Sequence, residues 1–158
     1  MKNQTATAPL SYPDQPQVAV GAIVFKDNKV LLVLRANPPA EACWAIPGGR
    51  VQLGETLQEA AEREIKEETG ITIRTRDMVC TFEVIERDDD GQVRFHYVII
   101  DFAADYVGGE LRAGDDAVDT RWISTEELKN LKVSQTTLKV LRQLFEQPGC
   151  FSEKPLHG

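Results

Sequence analysis

The stretch GRVQLGETLQEAAEREIKEETGI, residues 49–71, decides the fold. Its glycine-containing first part predicts a loop, and its second part predicts a short helix. Thr56 followed by Glu59 fits a capping box, in which the hydroxyl and the carboxylate accept hydrogen bonds from the first free N–H groups of the helix. Gly70 predicts the end of the helix, because glycine adopts the left-handed conformation at little cost.

The acidic residues of this helix are placed unusually. Four apolar residues fall on one stripe at about 100° per residue: Leu57, Ala60, Ala61 and Ile65. Glu64, Glu67 and Glu68 lie within or beside that stripe, at positions i, i+3 and i+4. Carboxylates held together against a packed face repel one another and lose hydration, and a hard divalent cation relieves both effects. A solvated acidic face is the alternative for such a string, but the helical positions favour a metal site.

The same stretch resembles the signature of the Nudix hydrolases. The matching positions are Gly49, Glu55, Arg63, Glu64, Ile65, Glu67, Glu68, Gly70 and Ile71. The similarity extends to WAIPGG before the stretch and to RWI followed by a helix after it, and covers about residues 18–145. It implies an α/β (α+β) Nudix fold with a mixed β-sheet sandwiched between helices. It also implies a hydrolase that depends on Mg²⁺, or on Mn²⁺ in its place.

The resemblance assigns roles to residues in and near this Nudix box (residues 49–71). It implies that the backbone carbonyl of Gly48 joins three box glutamates around the metal: Glu64, Glu67 and Glu68. Arg63 is expected to orient the glutamates, and Glu55 to assist at the metal. In several Nudix enzymes a later loop supplies another acid, as ligand or general base. Asp116 matches that position better, with Asp115 as the alternative.

Other polar and aromatic residues are candidates for substrate contacts. Arg35 at a strand end, or Arg50 in the box, is expected to neutralise a substrate phosphate, although a surface charge explains Arg35 equally well. His96 is a candidate general base, but a lone histidine on a strand is more often a packing or hydrogen-bonding residue. Phe82, Tyr97 and Phe102 have the chemistry to stack on a base, and core packing is the stronger expectation for each.

Length and composition limit the function class. The 158 residues predict one domain over 18–147, with a flexible arm at 1–17 and a tail at 148–158. The net charge of -7 disfavours nucleic-acid or anionic-membrane partners, because the field repels polyanions. Three widely spaced cysteines indicate neither disulfides nor zinc, and favour a reducing cytoplasm. No segment resembles a signal peptide or a membrane span.

Periodicity predicts the remaining elements. Strands are expected at 18–25, 29–35, 44–47, 71–74, 79–87, 93–106 and 121–123, with the turn DDDG joining 79–87 to 93–106 as a hairpin. Near-continuous apolar runs in the first two strands indicate burial on both faces. Helices are expected after the cap at Ser124 and over 136–147.

The overall pattern is most similar to small bacterial Nudix proteins described as ADP-ribose pyrophosphatases. One departure is that many such enzymes have a proline about sixteen residues beyond the box, where this chain has Glu86-Arg87-Asp88. Despite this departure, the overall similarity makes ADP-ribose or a related nucleoside diphosphate sugar the predicted substrate. A MutT-like nucleoside triphosphate pyrophosphohydrolase and a non-catalytic nucleotide sensor are the alternatives. A homodimer is expected from the resemblance alone.

Overall fold

The computed structural model describes residues 12–38, 40–114 and 116–146. Along this part of the chain the elements are β1 (Gln17–Lys26), β2 (Lys29–Arg35), β3 (Trp44–Ala45), β4 (Gly48–Arg50), α1 (Leu57–Thr69), β5 (Thr72–Arg87), β6 (Val93–Gly108), β7 (Ala117–Ser124), α2 (Thr125–Leu128) and α3 (Gln135–Glu146).

The strands of the described residues form one mixed sheet. Its order is β3-β2-β1-β6-β5, with β4 also paired to β1 and β7 paired to β2. The central strand β1 runs parallel to β6 and antiparallel to β2 and β4. Asp27 and Asn28 form the tight β1–β2 turn with φ of 50° and 60°, the conformation that matches the twist of a two-residue hairpin. Most of β1 is buried, as its apolar run predicts.

Helices cover both faces of this sheet. On one face, Ala60 and Ala61 of α1 pack against Val20 and Phe102. On the other, Leu141 and Leu144 of α3 lie in one cluster with Ile23, Leu32 and Trp44. This confirms the predicted mixed sheet between helices. Because successive strand residues face opposite sides, Phe102 belongs to the α1 face and its neighbour Asp101 to the α3 face.

The predicted ends of α1 are confirmed. The Thr56 hydroxyl accepts a hydrogen bond from the Glu59 N–H at 3.1 Å, and the Glu59 carboxylate accepts one from the Thr56 N–H at 2.9 Å. Gly70 ends the helix with φ of 79°. The segment after β6 completes this end: the N–H groups of Arg112 and Gly114 donate to the last carbonyl oxygens of α1, each at 2.8 Å.

Several strand predictions were wrong in their boundaries, including that at 121–123, which is β7 and begins at Ala117. The strands expected at 71–74 and 79–87 are one strand, β5, because bulges between Thr75 and Cys80 absorb the extra residues without ending the pairing with β6. The strand expected at 44–47 ends at Ala45. Gly49 and Arg50, expected to be loop, instead belong to β4, which pairs with β1 and places Gly48 opposite Gly21. Two facing glycines let the backbones approach closely.

The predicted arm and tail fall largely outside the described residues, so their boundaries stay predictions. Within the arm, Gln17 already belongs to β1, and Tyr12 interacts with Asp88 in the β5–β6 turn. Cys43 and Cys80 are free, partly buried thiols; Cys150 and His157 lie outside the described residues. None of the helices in the described ranges is long and apolar enough to cross a membrane.

Candidate active site

A large open cleft joins the Nudix box to the α3 face of the sheet. Its volume is about 1640 Å³. One wall carries Glu64, Glu68 and the glycine pair of β4, and the other carries side chains of β5, β6 and the start of α3. Asn37, Pro38 and Ala40, in the loop after β2, border its mouth. A cleft of this size accommodates a substrate larger than a single mononucleotide.

Glu68 is the most deeply buried acid of the box. Glu68 is 7% exposed to solvent, and its carboxylate accepts a hydrogen bond from the Gly48 N–H at 2.9 Å. Burial raises the pKa of Glu68 to about 7, and the charges of Glu64 and Asp116 add to the rise. The hydrogen bond from Gly48 and the charge of Arg35 oppose it. The carboxylate also lies in the last turn of α1, where the helix dipole disfavours negative charge.

Glu64 faces the same part of the cleft. Burial raises its pKa, Arg63 lowers it, and the charges of Glu67 and Asp116 raise it further. Gly49 lies directly against the Glu64 carboxyl group, so closely that a Cβ on residue 49 would overlap its atoms. The backbone of the box loop therefore seats this carboxyl group. Asp116, which lines the cleft and is exposed, acts electrostatically on both glutamates.

Arg63 connects the acids of the box. Its guanidinium donates to Glu55 through Nε at 2.7 Å and through Nη2 at 2.9 Å, a bidentate pair. Nη1 donates to Glu64 at 2.9 Å and to Glu67 at 3.1 Å, and Nη2 also reaches the Arg50 carbonyl oxygen at 3.1 Å. The side chain thus fixes the box loop to α1. This geometry agrees with the supporting role predicted for Arg63.

The cleft brings together most of the predicted site residues. Its lining includes Arg35, Arg50, Gly48, Glu55, Glu64, Glu68 and Asp116. Glu67 is 58% exposed and lies on the solvent side of the Arg63 pair. His96 lines a separate small pocket with residues 13–16. Phe102 is buried under α1, whereas Phe82 and Tyr97 line the cleft. Asp115 lies outside the described residues.

Comparison with known proteins decides the family. The model of the NUDIX domain matches residues 15–144, most of the chain. The chain belongs to the Nudix hydrolase family. An ADP-ribose pyrophosphatase of Methanocaldococcus jannaschii is 44% identical over 116 residues, which are 73% of this chain and 66% of that relative, slightly less than two thirds of its length.

Further relatives agree with this assignment. The phosphatase NudJ of Escherichia coli K12 is 31% identical over 72% of each chain. The crystal structure of a MutT Nudix hydrolase from Burkholderia pseudomallei superimposes with a TM-score of 0.72 at 29% identity, covering 83% of this chain and 99% of that one. The mixed sheet between helices is therefore the Nudix fold.

The Nudix family implies a divalent metal, and the donor chemistry of this box fits one. Glu64 and Glu68 present hard oxygen ligands, and their mutual repulsion and burial are the strain that a cation relieves. As the side chains stand, the described residues contain no group of three Asp, Glu, His or Cys arranged to hold a metal ion. One carboxylate oxygen each of Glu64 and Glu67 accepts a hydrogen bond from Arg63, and one of Glu68 accepts from the Gly48 N–H.

We expect Gly49→Ala to impair activity more than stability. The new Cβ meets the end of the flexible Glu64 side chain, which can turn away, so the cost in unfolding free energy should be about 1 kcal/mol. The displaced carboxylate should lower kcat about tenfold or more. Thermal unfolding and steady-state kinetics on the same preparation check both effects. A variant with normal kcat would show that the position of Glu64 is unimportant for turnover.

One buried acid in the cleft wall escaped prediction. Asp101 of β6 is 2% exposed, and its carboxyl lies over Gly21, where any Cβ would overlap Oδ1. The Cys80 Sγ lies 3.9 Å from Oδ2. Burial raises the pKa of Asp101 to about 7, and that of the Cys80 thiol to about 11. The sequence signal was available, because Asp101 is the one charged residue within the apolar run Tyr97–Ala104.

We expect Asp101 to make stability fall with rising pH. Its folded pKa of about 7 exceeds the ordinary value of 3.8, so between these pH values the folded protein keeps a proton that the unfolded chain has released. The unfolding free energy should therefore fall as pH rises through this window. Asp101→Asn should remove this contribution and stabilise the protein at pH 8 relative to wild type.

Denaturant unfolding at pH 5 and pH 8 compares the unfolding free energies of wild type and Asp101→Asn. The control is Asp105→Asn on the same strand, where the side chain is 53% exposed and pairs with Arg76. The pH dependence of the unfolding free energy of Asp105→Asn should remain that of wild type. An Asp101→Asn protein with the pH dependence of wild type would show that the carboxyl is not a buried, neutral acid.

Proposed function

We propose that this chain is a metal-dependent hydrolase that cleaves the diphosphate linkage of a nucleoside diphosphate linked to X. ADP-ribose or a related nucleotide sugar is its substrate. The observation that carries the proposal is the buried Glu68 carboxylate, set beside Glu64 and Asp116 in the wall of a cleft large enough for two linked nucleoside-sized groups. The name of the archaeal relative, an ADP-ribose pyrophosphatase, supports this substrate class.

The residues proposed to hold the cation are Glu64, Glu67, Glu68 and the carbonyl of Gly48. When bound, Mg²⁺ or Mn²⁺ supplies Lewis acidity at phosphate oxygens and lowers the pKa of a coordinated water. Glu67 must turn from the solvent side of Arg63 to contribute. In the absence of the cation, Arg63 holds the carboxylates of Glu64 and Glu67 in place through hydrogen bonds.

The remaining steps are assigned to side chains around the cleft. Water attacks phosphorus, and one of Glu55, Glu68 or Asp116 accepts its proton. The bidentate pair with Arg63 makes Glu55 the least available of the three, because both of its oxygens already accept strong hydrogen bonds. Arg35 and Arg50 border the cleft and neutralise substrate phosphates. Their charges offset the repulsion between an acidic protein and an anionic substrate.

A substrate panel with Mg²⁺ tests the proposal. AMP and ribose 5-phosphate from ADP-ribose are the expected products. Pyrophosphate released from a nucleoside triphosphate, with ADP-ribose untouched, would keep the chemistry and favour the MutT-like alternative, a class represented among the structural neighbours by the Burkholderia MutT protein. Nucleotide binding without any turnover would instead favour a sensor.

Assembly and location belong to the same proposal. A homodimer is expected from the family resemblance, and light scattering should give twice the mass of one chain. A monomeric mass at working concentration would refute it. The reducing cytoplasm is the proposed compartment, consistent with Cys43 and Cys80 as free thiols.

A further inference from the structure

The segment after β6, residues 109–114, lies directly on the backbone at the C-terminal end of α1. Glycines on both sides make this contact possible. A Cβ on Gly114 would overlap the Glu67 carbonyl oxygen. A Cβ on Gly109 would lie 2.8 Å from the Gly70 carbonyl oxygen, and a Cβ on Gly70 would lie 2.7 Å from a carbonyl oxygen of the segment. Side chains at these positions would therefore hold the two backbones apart.

Hydrogen bonds fix the same contact. The Arg112 N–H donates to the Thr69 carbonyl oxygen, and the Gly114 N–H donates to the Glu68 carbonyl oxygen, each at 2.8 Å. Both acceptors lie in the last turn of α1, where carbonyl groups have no partner within the helix. Glu68 therefore holds this segment through its backbone, while its side chain lies in the cleft wall.

Asp116 follows this contact by two residues and is held from both sides. The Ala117 N–H donates to the Gly114 carbonyl oxygen at 3.1 Å, which closes a turn that contains Asp116. The Ala36 N–H, just after β2, donates to the Asp116 carbonyl oxygen at 3.2 Å. The Asp116 side chain lines the cleft, where its charge acts on the acids of α1. How closely Gly114 approaches the helix therefore sets how far Asp116 lies from those acids.

We propose that Gly114 is a positioning residue of the site and acts through Asp116. This inference rests on the proposed function, since it concerns an acid assigned to the same site. A larger residue at position 114 must move away from the Glu67 carbonyl oxygen by about 1 Å or more to reach an ordinary contact distance. The buried side chains of α1 hold the helix in the core, so the segment moves and carries Asp116 with it. A misplacement of about 1 Å costs up to about a hundredfold in rate.

A double-mutant cycle tests whether Gly114 acts through Asp116. The variants are Gly114→Ala, Asp116→Asn and the two combined, assayed for hydrolysis of ADP-ribose with Mg²⁺. Gly114→Ala should lower kcat roughly 10- to 100-fold with little change in KM, and Asp116→Asn should lower kcat at least as far. The double variant should be no slower than Asp116→Asn, because the position is irrelevant once the carboxylate is absent. Losses that multiply in the double variant would overturn the proposal.

Cation binding supplies a readout that does not need turnover. Electron paramagnetic resonance during titration with Mn²⁺ measures the affinity of each variant without substrate. The charge of Asp116 lies near the acids proposed to hold the cation, so Asp116→Asn and Gly114→Ala should each weaken Mn²⁺ binding several fold. The double variant should bind Mn²⁺ as Asp116→Asn does. Wild-type Mn²⁺ affinity together with wild-type kcat in Asp116→Asn would overturn the proposal.

Gly109→Ala is the matched control. It adds the same methyl group against the same end of α1, at a residue with φ of 93°, but further along the chain from Asp116. It should lower the melting temperature and keep kcat within a few fold of wild type. A loss of kcat equal to that of Gly114→Ala would show that Gly114 only supports the fold. If Gly114→Ala does not fold, Ala36→Pro replaces it in the cycle, because proline lacks the N–H that holds the Asp116 carbonyl oxygen.

The outcomes separate this inference from the proposed function. Hydrolysis of ADP-ribose by wild type, with losses that multiply in the double variant, would overturn the role of Gly114 alone. No hydrolysis of any diphosphate, with non-additive losses of Mn²⁺ affinity, would support the role of Gly114 and overturn the proposed hydrolase. Neither hydrolysis nor Mn²⁺ binding by wild type would overturn both.

Discussion

Glu68→Gln is expected to fold normally and to lose about 10²- to 10⁴-fold in kcat. The carboxylate is 7% exposed and accepts a hydrogen bond from the Gly48 N–H, a contact that the side-chain oxygen of glutamine preserves. The substitution removes the negative charge that would bind a cation or accept a proton. It also removes repulsion with Glu64 and Asp116, so the metal-free variant should melt no lower than wild type.

The matched control is Glu126→Gln. Glu126 is 81% exposed in α2 and pairs only with Lys129 among the contacts of the described chain, so its loss should leave turnover unchanged. Steady-state kinetics with Mg²⁺ and thermal melting of both variants are the measurements. Turnover by Glu68→Gln within a few fold of wild type would remove Glu68 from the active site.

Gly48→Ala, one residue before the Nudix box, is expected to destabilise the protein more than Gly49→Ala does. A Cβ on residue 48 would overlap the Val20 carbonyl oxygen, which belongs to the backbone of β1 and cannot turn aside. The paired strands β1 and β4 would have to separate, at a cost of about 3 kcal/mol or more in unfolding free energy. The same shift moves the Gly48 N–H away from Glu68, so activity should fall as well.

Gly108→Ala supplies the comparison. Apart from its chain neighbours, no atom of the described residues lies within 4 Å of the position that its Cβ would take, so the change in unfolding free energy should stay within about 0.5 kcal/mol. Denaturant unfolding of both variants gives the difference directly. A Gly48→Ala protein as stable as Gly108→Ala would mean that β4 does not press against β1 as described.

Local signals predicted α1 well. The Thr56–Glu59 capping box and the left-handed Gly70 depend on interactions within a few residues, and both are confirmed. The segment that binds the last carbonyl oxygens of α1 was not predictable in the same way. Gly114 packs against the Glu67 carbonyl and donates to Glu68, but it is more than forty residues away along the chain. Contacts between distant segments leave no periodic trace in either one.

The site also combines features that local sequence predicts with features that depend on contacts between distant segments. The box fixed the identity of the acids, yet the helical wheel placed Glu64, Glu67 and Glu68 together, while the structure exposes Glu67 and buries Glu68. The difference arises because Glu67 shares Arg63 at the solvent edge, whereas the backbone of β4 covers Glu68. Asp101 became recognisable only when β5 and β6 brought it beside Gly21 and Cys80 in the cleft.

The most direct test of the central claim is product analysis by mass spectrometry after incubation of the wild-type protein with ADP-ribose. Parallel samples contain Mg²⁺ or an excess of chelator. We predict AMP and ribose 5-phosphate in the presence of Mg²⁺, with one oxygen from ¹⁸O-labelled water in a product phosphate, and no products with chelator. Undiminished products in the presence of chelator, or intact ADP-ribose and other nucleotides in the presence of Mg²⁺, would contradict the proposed metal-dependent hydrolase.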